Sequence, residues 1–283
     1  MSAPGAAAAA ERGEARVRGA FAAAAAAGSA AFVPFLTAGF PDAERALAAG
    51  RTLLRHADLL EVGLPYSDPL GDGPTIQRAS EVALAAGATT RGTFDLVRAL
   101  RAESAVPIAV MTYYNPVFAY QGPEGEGEAA FLRAAADAGV DALILPDLPP
   151  DEGGDLIAAA RAADLATVFL VAPTSTDARL ATVTSACRGF VYAVSVTGVT
   201  GARTGVPVDL AALVGRTRSA GGLPVAVGFG VADPATAAGV AAIADGVVVG
   251  SALVDRVGRM RDATDLAELD AFAAALAAAT ARP

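Results

Sequence analysis

Eight short apolar runs recur along the chain, and a helix-prone stretch separates each from the next. The runs are AFVPFLT (31–37), ADLLEVG (57–63), PIAVMT (107–112), DALILP (141–146), ATVFLV (166–171), FVYAVSV (190–196), PVAVGF (224–229) and DGVVVG (245–250). Their near-continuous hydrophobicity suits parallel strands buried on both faces. Helical segments are expected near 42–55, 75–103 (two helices), 127–138, 151–163, 176–186, 208–219 and 233–242, with a last one at 264–280. Asp42, Thr176 with Asp177, and Asp233 ahead of Pro234 are helix-start signals. Eight evenly spaced units predict an α/β fold that closes on itself, a single-domain (β/α)8 TIM barrel. An open doubly wound sheet, the rival architecture, rarely uses eight such units.

The chain has 283 residues, an ordinary size for such a barrel, and no Pro/Gly/Ser linker divides the series. Residues 1–20 read as a low-complexity, Ala-rich extension with a disordered start, and 21–283 as the barrel domain. A helix near 11–27 is expected ahead of the first strand. No apolar run approaches the roughly 20 residues of a membrane span, and the N-terminus lacks the pattern of a secretory signal. One cysteine, Cys187, excludes an internal disulfide framework and fits a reducing compartment. The expected location is the cytoplasm. A net charge of −9 with no basic run argues against nucleic-acid binding.

Absences narrow the chemistry. The chain contains no lysine, which rules out Schiff-base catalysis, and its single histidine (His56) and single cysteine cannot build the usual zinc or iron sites. Catalysis must lean on carboxylates, hydroxyls and backbone amides.

In a barrel the active site lies where strands end and βα loops begin. Glu61 lies within the second apolar run near its C-terminal end, so its side chain should point into the barrel mouth. Desolvation there would raise its pKa toward neutrality, as a general acid/base requires. Asp72 follows on the Gly-rich loop LPYSDPLGDGP (64–74). After the sixth, seventh and eighth runs come Thr197–Arg203, Gly228–Val231 and Gly250–Ala252. Glycines at these points let backbone N–H groups approach a phosphate closely. A small phosphorylated substrate is the expectation.

Seven stretches carry a specific resemblance: FVPFLTAGFPD (32–42), LLEVGLPYSDPLGDGPTIQRAS (59–80), MTYYNPVFAYQG (111–122), GVDALILPDLPPDE (139–152), YAVSVTGVTGAR (192–203), GFGV (228–231) and GSALV (250–254). The chain resembles the α subunit of tryptophan synthase from about residue 20 onward. The resemblance implies cleavage of indole-3-glycerol phosphate to indole and glyceraldehyde 3-phosphate without a cofactor. It implies Glu61 as acid/base, Asp72 as its partner on the indole N–H, and Tyr192 as an orienting group. It further implies Phe35, Met111, Ile144 and Phe229 as indole-pocket residues, and Thr200, Gly201, Gly230, Gly250 and Ser251 as the phosphate site. Asn115 and Asp147 match the face that docks the pyridoxal-phosphate-dependent β subunit, in an α2β2 assembly. Gly71, where the family often has Ala, departs from the pattern. A free-standing lyase and a catalytically silent barrel are the alternatives, and intact Glu61 and Asp72 speak against the second.

Overall fold

The computed structural model describes residues 12–123, 125–194, 208–228 and 230–282. Eight parallel strands form a ring: β1 (Ala31–Thr37), β2 (Leu60–Gly63), β3 (Ile108–Met111), β4 (Ala142–Ile144), β5 (Ala166–Val168 and Leu170–Val171), β6 (Val191–Val194), β7 (Val225–Gly228) and β8 (Gly246–Val249). Each pairs with its neighbours in sequence, and β8 returns to β1. The barrel is therefore the expected one.

One strand is divided. The first half of β5 pairs with β4 and the second with β6, and Phe169 interrupts them. The Phe169 N–H donates to the Cys187 Sγ at 3.3 Å, so it leaves the strand ladder at the point where β5 changes partners. Burial pushes that thiol's pKa up to about 12, in keeping with a structural cysteine.

Helix α1 (Gly13–Ala26) precedes the barrel and closes its floor, the end from which the strands start. It begins well ahead of residue 20, the expected domain boundary, and Val17 on it is wholly buried. The floor is made of small residues, Ala31, Ala109, Ala142, Ala166 and Ala226, which leave room for two rings. Phe21 from α1 stacks on Phe190 with centroids 5.1 Å apart. A Cβ on Gly246 would stand 2.9 Å from the Phe21 ring, so the strand approaches the plug as closely as glycine allows. Asp141, at the start of β4, ties the plug down. Its carboxylate accepts from the Gly13 N–H (3.0 Å), Arg16 (2.8 Å), Arg101 (2.5 Å) and the Ile108 N–H (3.0 Å).

The remaining helices are α2 (Ala43–Leu54), α3 (Pro74–Ala85), α4 (Thr90–Arg101), α5 (Tyr114–Phe118), α6 (Gly127–Ala138), α7 (Gly154–Ala162), α8 (Asp177–Ala186), α9 (Val208–Gly221), α10 (Pro234–Ala241), α11 (Ser251–Arg259) and α12 (Ala267–Ala279). Asp42, Thr176 and Asp233 cap α2, α8 and α10 as their sequences predict. Two helices lie outside the sequence-based series. At five residues α5 is too short to show a period, and α11 follows a strand directly, with Gly250 as its N-cap. A short antiparallel ribbon pairs Gln121–Gly122 with Gly125–Glu126. Among the described residues no helix is long and apolar enough to cross a membrane.

Candidate active site

Strand alternation sets which side chains enter the mouth. On β2, Leu60 and Val62 pack outward against the helices, whereas Leu59 joins the barrel interior. Glu61 therefore points inward, in register with Phe35 on β1 and Ala109 on β3. It is fully buried, and neither carboxylate oxygen has a hydrogen-bond partner among the described residues. A charge in that position is poorly solvated. Burial, and then the charge of Asp72, push the Glu61 pKa up to about 8. The Tyr192 hydroxyl faces it from β6 and pulls the other way, less strongly than burial and Asp72 push. Burial, followed by the charges of Glu61 and Asp72, raises the Tyr192 hydroxyl well above its usual value, so it stays protonated. Room for that hydroxyl comes from Gly228 on β7, where a Cβ would stand 2.3 Å from it.

Asp72 reaches the same mouth from the loop between β2 and α3. The loop is braced by its own backbone and by α3: the Asp72 N–H donates to the Pro69 carbonyl at 3.0 Å, and the Gln77 side-chain amide donates to the Asp72 carbonyl at 2.9 Å. Burial raises the Asp72 pKa to about 6, against the pull of the Tyr113 hydroxyl. Tyr113, just beyond β3, also accepts the Gly71 N–H at 2.9 Å, and its ring packs on Tyr66 with centroids 5.2 Å apart. It thus anchors the acidic loop at both ends of the motif. Sequence reasoning missed Tyr113 and Gln77. The only signal was the paired tyrosine after the third strand, which reads equally well as core.

Phe35 forms a small apolar cluster with Ala79 and Val254, against which Ile76 and Met111 pack. Its ring lies over Gly63, where a Cβ would come within 2.4 Å of it. Met111 also packs against the interior layer that contains Ile144, so Phe35, Met111 and Ile144 belong to adjoining apolar clusters. Phe229 lies outside the described residues, as do Thr200 and Gly201.

Gly230 follows β7 with φ +54°, a left-handed conformation that favours glycine. Gly250 and Ser251 open α11, where the positive end of the helix dipole lies. A Cβ on Gly250 would stand 3.3 Å from Ile76, so this helix start adjoins the Phe35 cluster. Asn115 and Asp147 are exposed on the rim. Asp147 accepts the Tyr114 N–H at 2.9 and 3.1 Å and so holds the start of α5.

The arrangement is a buried acid beside a more exposed carboxylate, an apolar slot, and a helix start across it. It can hold a flat apolar group against a proton donor with an anion tethered beside it. A family model described as "Tryptophan synthase alpha chain" matches residues 21–281. Among relatives, the tryptophan synthase alpha chain of Deinococcus radiodurans is 54% identical over 91% of this chain and 93% of its own length. That of Citrifermentans bemidjiense is 48% identical over 88% and 91%. A solved structure of Mycobacterium tuberculosis tryptophan synthase is 42% identical, with a TM-score of 0.85 over 96% of this chain and all of that one. The alpha subunit from Legionella pneumophila is 31% identical, with a TM-score of 0.84 over 94% and 98%. Matched along nearly its whole length, the chain belongs to the tryptophan synthase alpha chain family.

Proposed function

We propose that Glu61 and Asp72 divide the cleavage of indole-3-glycerol phosphate between them. As a member of its family the chain is a lyase of tryptophan biosynthesis, releasing indole and glyceraldehyde 3-phosphate. The observation that carries the residue assignment is the split environment of the two acids. Glu61, titrating near 8, is mostly protonated at neutral pH, and Asp72, near 6, is mostly ionised. Opposed pKa values of this kind separate an acid from an acceptor.

Glu61 gives its proton to indole C3, and the ring nitrogen becomes cationic as the C2–C3 double bond is consumed. Asp72 accepts the N–H hydrogen bond and stabilises that charge. The carboxylate left on Glu61 then takes the proton of the glycerol hydroxyl. Its oxygen becomes the aldehyde carbonyl, the C–C bond breaks, and the bonding pair returns to the indole ring. Phe35, Met111, Ile144 and Phe229 bound the indole. Thr200, Gly201, Gly230, Gly250 and Ser251 hold the phosphate with backbone amides, which suits a lysine-free protein. Tyr192 orients Glu61.

A β subunit is the partner its family implies. We assign that partner a pyridoxal-phosphate dependence, the docking face around Asn115 and Asp147, an α2β2 stoichiometry and a cytoplasmic location. The test is indole release from indole-3-glycerol phosphate by wild type and Glu61→Gln, with and without a β subunit. Slow release alone, acceleration with partner and loss in the variant are expected. Undiminished release by Glu61→Gln would overturn the assignment. Fast release that ignores the partner would indicate a free-standing lyase.

A further inference from the structure

A groove of about 420 Å³ opens on the barrel floor, at the opposite end from the acidic mouth. It lies between the start of α1 and the C-terminal ends of α4 and α6, and four arginines line it: Arg12, Arg16, Arg98 and Arg101.

Part of this clustering has a structural cause. Helix C-termini leave carbonyls without partners, and arginine caps them. Arg101 is consumed in this way, donating to the carbonyls of Gly139 (3.2 Å), Ser104 (2.9 Å) and Val106 (2.8 Å) as well as to Asp141. The other three are not consumed. Arg12 uses Nη2 alone, on the Ala136 carbonyl at 3.2 Å, and Arg98 uses Nη1 alone, on Asp95 at 2.5 Å. Arg16 uses Nη1 alone, on Asp141. Their other guanidinium nitrogens make no hydrogen bond among the described residues.

The charge count also leaves a surplus. The acids that answer these four cations are Asp141, Asp137 on the groove wall and Asp95, which faces solvent. Asp141 is shared by Arg16 and Arg101 and already accepts four hydrogen bonds, the capacity of a carboxylate. Burial lowers the Arg101 pKa, Asp141 opposes this and the like charge of Arg16 adds to it, so the two guanidiniums crowd each other. The start of α1 brings the positive end of a helix dipole to the groove, opposed by the C-terminal ends of α4 and α6, so the guanidiniums themselves carry the attraction for an anion.

We propose that this groove is a second phosphoryl-binding site, separate from the mouth. It would be filled by inorganic phosphate or the phosphoryl end of a small phosphomonoester, gripped by the spare donors of Arg12, Arg16 and Arg98. Four arginines against three acids leave one positive charge over for an oxyanion to answer, and the phosphoryl oxygens match the planar, bidentate donors that guanidinium presents. Bound there, it links α1 to α4 and fastens the plug to the barrel wall.

The test follows the Arg Nε–Hε NMR signals of the full chain during titration with inorganic phosphate, with sodium chloride holding ionic strength constant. A parallel titration uses glycerol phosphate. Saturable shifts of the Arg12, Arg16 and Arg98 signals are expected. In Arg12→Gln/Arg98→Gln the Arg16 signal should saturate at least tenfold later, with indole release unchanged. Equal midpoints for the two titrants assign the site to the phosphoryl group alone, and a tighter one for glycerol phosphate assigns it to the ester. Shifts that rise linearly with phosphate, or that chloride reproduces, would overturn the proposal, as would a variant that saturates like wild type.

Discussion

Glu61 is a fully buried carboxyl group with no hydrogen-bond partner among the described residues, and in the proposed mechanism its protonation is the feature on which catalysis turns. With Asp72 near 6 and Glu61 near 8, kcat/KM should describe a bell, falling on the acid side as Asp72 protonates and on the alkaline side as Glu61 ionises. Tyr113 holds Asp72 down, so Tyr113→Phe should move the acid limb to higher pH and lower the peak roughly tenfold, the low end of what a positioned acid/base group contributes. An unmoved acid limb in that variant would detach Tyr113 from Asp72. Stability carries the same signature. A carboxyl that titrates near 8 when folded and near its ordinary 4.5 when unfolded binds more protons in the folded state across that interval. Folding is therefore weakened as pH rises through it. Glu61→Gln has no such titration. Urea unfolding should show the variant gaining on wild type between about pH 5 and 8, by on the order of a few kcal/mol, and parallel curves would count against the burial argument. Glu61 stands out in the sequence because a lone acid in an apolar run needs a reason to be there, and Asp72 because it follows on a Gly-rich loop at the end of that strand. Tyr113 does not, since a tyrosine after a strand has many reasons.

The elements were legible where period and caps agreed. All eight strands and the long helices fall where alternating apolar runs predict them, because burial on both faces leaves a continuous hydrophobic signal. What escaped depends on contacts between distant segments. The break in β5 is made by Cys187, 18 positions from Phe169, and α5 is held by Asp147, 33 positions from Tyr114. Neither leaves a local mark. The floor plug is the element most open to test. Phe21 is nearly fully buried against Phe190 and Gly246, so Phe21→Ala removes a ring that alanine-lined walls cannot collapse to replace. A loss of about 3–5 kcal/mol in unfolding free energy is expected. A loss under about 1 kcal/mol would mean that α1 sits on the barrel without supporting it.

At the scale of the whole molecule, the rim is where the proposed chemistry and the proposed docking face meet. Leu70 on the acidic loop is 91% exposed and Phe118 on α5 is 63% exposed, beside Asn115 and near the Asp147 brace. Apolar groups of this size at a mouth fit a surface that another protein covers. Phe118→Ser should leave indole release by the chain alone within about twofold, while raising at least tenfold the β-subunit concentration that half-saturates the acceleration, a loss typical of an interface anchor. An unchanged midpoint would place the docking face elsewhere. The sealed floor then fixes the traffic. Among the described residues α1 and two aromatic rings stopper the far end, which leaves the mouth as the way in, and a partner docked on the rim as proposed would close it. Cleaved inside a room whose exit is occupied, indole can leave only through the occupant or after it steps aside. The occupant must therefore supply either a corridor of its own or a clock that sets how long the product waits.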